Sequence, residues 1–94
     1  KNIKKHIISK KCKFTLSFDY FEKDYLINKS RSTSDILEIV LSGKKEYRIY
    51  DLNDTNLFIS YRIMPIYGIV FSNETIFSSK TKENSILLVI NVDN

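Results

Sequence analysis

The sequence predicts an all-β domain, a small two-sheet β-sandwich of about seven strands, and three observations carry that expectation. Phe14, Leu16, Phe18 and Tyr20 alternate with Lys13, Thr15, Ser17 and Asp19, the period-two signature of a half-buried strand. Several further short runs rich in Ile, Leu, Val, Phe and Tyr follow, each bounded by Asn, Ser, Asp or Gly. The last of them, Ile86 to Ile90, is apolar on both faces and strand-sized, as a central strand should be.

Taken in order, the first strand spans Cys12 to Tyr20. The polar stretch from Phe21 to Ser34 reads as a long connection, because it carries several charges and a Ser/Thr cluster. Within it Tyr25, Leu26 and Ile27 stand out, and three apolar residues in a polar loop either tuck onto the core or meet a partner. Ile36 to Leu41 is nearly all apolar and reads as a covered strand. Ser42-Gly43-Lys44-Lys45 then supplies a turn before a strand from Glu46 to Leu52, at hairpin spacing. After the Asn53 to Asn56 break, Leu57 to Met64 reads as a strand from its β-branched and aromatic content. Pro65 belongs at an edge, bulge or corner. Ile66 to Phe71, a short segment from Thr75 to Ser78, a polar loop from Ser79 to Asn84 and a final strand from Ser85 to Val92 complete the layout. Phe14, Leu16, Phe18, Ile39, Ile49, Leu88 and Ile90 are the expected core.

At 94 residues the chain is one domain, with a hydrophobic fraction of 43% and a charged fraction of 28%, both ordinary for a folded protein. The net charge of +4 is unevenly spread. Lys1, Lys4, Lys5, Lys10, Lys11 and Lys13 are unaccompanied by any acid, while the rest of the chain holds nine basic and eleven acidic residues. Residues 1–11 therefore form a basic N-terminal tether or arm, or a first strand with lysines on its wet face, ahead of a near-neutral domain over 12–94. Such an arm suits phosphates or an anionic membrane surface. A nucleic-acid groove should also be basic in its body, which argues against nucleic acid as the partner.

The inventory excludes most chemistry. With one His, one Cys, two Gly and no Trp, the chain has no set of residues for a metal cluster, a nucleophile with an oriented base, or a glycine-rich phosphate cradle. No catalytic residue, metal or cofactor is expected, and the reading is a non-enzymatic binding domain. Cys12 falls on the face of Phe14 and Leu16 and reads as a small buried hydrophobe.

The early strand KFTLSFDY, the break LINKSRSTSD, the segment YRIYDLND and the late turn with an apolar last strand together resemble TssJ, the outer-membrane lipoproteins of bacterial type VI secretion systems. Tyr47, Arg48, Ile49, Tyr50, Asp51 and Leu52 carry the closest likeness. The additional run Ile36 to Leu41 departs from the family's pattern. The resemblance implies a transthyretin-like β-sandwich on the periplasmic face of the outer membrane, held by a lipid anchor upstream of residue 1. It also implies docking to an IcmF-like inner-membrane protein through the loop after the first strand. Within that loop, composition singles out Tyr25, Leu26, Ile27 and Arg31 as the partner-binding residues. A small inhibitor or immunity protein that blocks an enzyme through an exposed edge fits the same composition.

Overall fold

Two strands are far longer than the five or six residues typical of a sheet, and they organise everything else. The computed structural model describes Ile3–Ile8 and Lys13–Asp93, with side chains described from Lys13 to Val92. Its strands are β1 (Ile3–Ile8), β2 (Lys13–Phe21), β3 (Leu26–Arg31), β4 (Asp35–Tyr50), β5 (Phe58–Ile63), β6 (Gly68–Phe71) and β7 (Ile76–Asp93). All pairings are antiparallel, in the order β1-β2-β7-β4-β5, with β3 also on β7 and β6 also on β4. Cys12, and with it the expectation of its burial, lies outside the described residues.

The 16-residue β4 and the 18-residue β7 pair along most of their length, and each changes its outer neighbour midway. The first half of the sheet joins β1, β2, the C-terminal part of β7, the N-terminal part of β4 and β6. The second half joins β3, the N-terminal part of β7, the C-terminal part of β4 and β5. Between the halves the β4–β7 register shifts between Val40 and Ser42, again to Lys44 and again to Lys45. Extra residues of this kind bend a strand and raise its twist. Gly43 sits in the bend at φ +89°, a backbone state costly for any residue with a Cβ. Ser85 fastens it from β7: its Oγ accepts from the Lys44 N–H at 3.1 Å and donates to the Glu83 carbonyl at 2.6 Å.

The bend folds the two halves onto each other. Nine residues of extended strand span about 30 Å, yet the Tyr47 hydroxyl donates to Glu38 Oε1 on the same strand at 2.5 Å. Phe71 of β6 closes the space between the halves, its ring 4.6 Å from Phe77 and 5.6 Å from Tyr47. The result is a single hydrogen-bonded sheet turned over on itself.

This architecture keeps the all-β expectation and corrects several details. Ser42 to Lys45 is a bend inside one strand, because the chain bulges without reversing. Ser79 to Asn84 likewise lies within β7, held by β3 and β4. The stretch from Phe21 to Ser34 contains β3. The core is also different: Val40, Tyr47, Phe71, Ile76, Leu87 and Val89 are buried. Phe14, Leu16, Ile39, Ile49, Leu88 and Ile90 are half-buried, and Phe18 is exposed. The alternation of β2 was legible, but its apolar side faces away from the interior.

Candidate interaction surface

Register and burial together assign each residue to the inside or the outside of the folded sheet. Val40, Leu87 and Val89 form the core cluster, and cross-strand partners share a face. Ser17, Asp19 and Glu38, which stand opposite Val89, Leu87 and Val89, are therefore inside. The residues between them are outside. One outer row runs Leu16, Ile90, Leu37, Val70 across β2, β7, β4 and β6, and the next runs Phe18, Leu88, Ile39, Gly68. The pairs Phe14–Val92 and Tyr20–Ile86 flank these rows. The register places charges at the margins of this side: Lys5 of the edge strand β1 stands opposite Leu16, and Asp35 lies at the corner beside Val92. Val70 is 69% exposed, and Phe18, Tyr20 and Ile86 are between 42% and 45%.

This inverts the usual rule for an antiparallel sheet, which is apolar toward the core and polar toward water. The second half of the same sheet obeys it. There one outer row reads Leu26, Lys80, Glu46, Arg62 and the next Ser78, Arg48, Ser60. Arg62 pairs with Glu46 at 3.5 Å, Arg48 lies over the Phe58 ring at 4.5 Å and Lys29 over the Tyr50 ring at 4.4 Å. A groove of about 290 Å³ runs over this side, lined by Leu26, Ile27, Lys29, Arg48, Tyr50 and Lys80 among others.

Inside, the fold encloses an unusual polar group. Lys45 is 0% exposed, its ammonium 4.1 Å from the Phe21 ring centroid and 5.2 Å from that of Tyr47. Its Nζ, Asp19 Oδ1 and Thr81 Oγ1 are buried without a protein hydrogen-bond partner, an arrangement that a buried water would satisfy. Burial pushes the Lys45 ammonium below its ordinary value, with Glu38 and Asp19 acting in the opposite direction. Burial, reinforced by the charge and the hydrogen bond of Glu38, holds the Tyr47 phenol well above its own. The unfolded chain thus binds more protons at Lys45 than the folded chain between the lowered value and 10.5, so this group makes stability rise with pH across that window. Tyr47 acts oppositely above pH 10, where only the unfolded chain loses the phenolic proton. Urea midpoints of the wild-type chain should therefore climb as the pH is raised toward 10, and Lys45→Met should flatten the climb. An equal rise in both chains would remove Lys45 as its source.

Beyond this cluster β5 and β6 pair only with β4 and not with each other. They leave a cleft of about 420 Å³ lined by Ile49, Tyr61, Ile63 and Ile69 among others. Among the described residues no group of three His, Cys, Asp or Glu side chains is placed to hold a metal ion.

The partner-binding residues expected from the sequence are spread along one edge. Tyr25 is exposed in the turn before β3, its ring 5.4 Å from Phe21. Leu26 and Ile27 begin β3 and line the groove. Arg31 ends the same strand, some 15 Å away by strand rise, in an exposed ion pair of 2.8 Å with Glu74. Sequence reasoning missed the apolar outer face. The signal was available: Leu37 with Ile39, and Ile86, Leu88 and Ile90, give β4 and β7 a second apolar side that one small core cannot absorb.

No protein-family model matches the sequence, and no curated protein matches it. Solved structures do. A cupin superfamily protein from Desulfitobacterium hafniense superposes with a TM-score of 0.74 at 13% identity, over 100% of this chain and 79% of that one. KdgF from Halomonas gives a TM-score of 0.75 at 13% identity, over 99% and 81%. Drosophila melanogaster CENP-C, in its structure bound to CAL1, gives 0.71 at 10% identity, over 94% and 79%. The fold is therefore cupin-like. This overturns the resemblance to TssJ and the type VI secretion lipoprotein role drawn from it: the short motif around Tyr47 to Leu52 is part of a bent β4, in a sheet of a different fold.

Proposed function

We propose that this domain is a non-catalytic assembly module that works by covering its apolar outer face with protein. A cupin-like fold carries unrelated functions, so the reading rests on the residues themselves. The observation that carries it is the pair of central rows, Leu16-Ile90-Leu37-Val70 and Phe18-Leu88-Ile39-Gly68, which put apolar surface outside across β2, β7, β4 and β6, with Lys5 of β1 and Asp35 beyond its margins. Contiguous apolar surface of this kind marks an interaction site in a folded protein. The interior supports a structural role for its own polar residues: Lys45 is shut off from solvent against two rings, and the Tyr47 hydroxyl is committed to Glu38. The edge strand β3 offers a smaller second contact, with Tyr25 and Leu26 exposed and Leu26 and Ile27 lining the groove.

A photoreactive benzoylphenylalanine placed in turn at Phe18 and at Ser60 tests this in cells. Phe18 lies on the apolar outer face and Ser60 on the polar one. The module reading expects a protein-sized adduct from position 18 and none from position 60. Equal adducts from both, or none from position 18, would count against it.

A further inference from the structure

We propose that the occupant of the apolar outer face is a second copy of this chain, packed sheet on sheet about a two-fold axis. The proposal rests on the assembly-module reading above and names the partner of that same surface.

The first argument is self-complementarity. A two-fold contact sets one patch against itself, so every charge near the axis meets its own kind. The two central rows contain only Leu, Ile, Phe, Val and one Gly. Asp35 lies at one corner and Lys5, opposite Leu16, on the edge strand β1, both outside the two central rows. A different protein is ordinarily selected by polar groups that match across the contact, and these rows offer none.

The second argument is shape. Six steps along β2, from Phe14 to Tyr20, and four strands across give a footprint on the order of 400 Å² in projection. Side chains standing proud of the sheet raise the accessible area, so two copies bury roughly 1,000 Å² or more between them, the size at which a specific contact becomes stable. Two sheets stack about 10 Å apart with interdigitating side chains. Phe18 and Tyr20 supply aromatic anchors on the two flanks of the patch. The third argument is the contrast within the molecule, since the outer side of the second half carries Lys80, Glu46, Arg62 and Arg48 and is already built for water.

Sedimentation equilibrium and light scattering on the full 11.1 kDa chain test the proposal. The wild type should run at twice that mass at micromolar concentration. Phe18→Asp combined with Ile86→Asp should run as a monomer with an unchanged β circular-dichroism spectrum, while Ser60→Asp should remain dimeric. Should the double variant fail to fold, Val70→Lys takes its place: position 70 is 69% exposed, and this change should weaken dimerisation at least tenfold. Variants that fold and stay dimeric would overturn the proposal. A monomeric wild type at 100 µM would also overturn it, and dye binding then separates the two claims. If that monomer binds anilinonaphthalene sulfonate and the variants do not, the face serves another protein and the module reading stands; if it binds no dye, both fall.

Discussion

Gly43→Ala should destabilise the domain by about 3 kcal/mol or more, the sum expected from backbone strain and overpacking. At φ +89° an L-residue is strained before any contact is counted. A Cβ built there would also overlap Ser85 Oγ and the Asn84 carbonyl oxygen, and approach Ser85 Cα to 2.7 Å. Two of these neighbours are backbone of β7, which is held on both sides by other strands and cannot retreat. The damage should reach beyond the residue, because this bend brings Tyr47 back to Glu38. Urea denaturation followed by circular dichroism measures it, and a loss below 1 kcal/mol would mean that the bend tolerates a side chain.

The second large effect is expected at Phe71. Its side chain is 1% exposed and packs between Phe77 and Tyr47, so it ties β6 to both long strands across the interior. Phe71→Ala should cost about 3 to 5 kcal/mol, the range for a buried aromatic that leaves a cavity. Leu88 is the informative contrast. The sequence makes it a core residue and Leu88→Asp a severe change, but its register beside Phe18 and Ile39 puts it outside and only half-buried. Leu88→Asp should therefore cost the isolated fold less than Phe71→Ala does. A larger loss at Leu88, measured by the same urea titration in protein too dilute to associate, would reverse the assignment of inside and outside.

That inversion explains what the sequence shows and what it hides. Alternation identifies β2 and pairs Phe14, Leu16, Phe18 and Tyr20 on one face, because side-chain direction follows from the backbone period alone. Which face turns inward depends on the fold of the whole sheet. Here Ser17 and Asp19 go inside because β4 and β7 bend over them, and Lys45, solvated in any simple hairpin, is buried by the same bend. The continuity of β4 through Gly43 was hidden for a related reason. Ser-Gly-Lys-Lys is ordinary turn chemistry, and only pairing with β7 on its far side makes it a bulge. Composition singled out Arg31 as a partner-binding residue, and its ion pair with Glu74, 43 residues away, lay beyond the reach of local pattern.

The most direct test of the account is solvent exposure read at single methyl groups. In methyl NMR of the wild-type chain, a soluble gadolinium chelate broadens signals in proportion to their access to water. If the outer face is covered by protein, the methyls of Leu88, Ile90, Leu37 and Ile39 should stay sharp, while Ile66, 79% exposed at the tip between β5 and β6, should broaden strongly. Outer-face methyls broadened as much as Ile66 would show that this surface lives in water, and the account would be wrong.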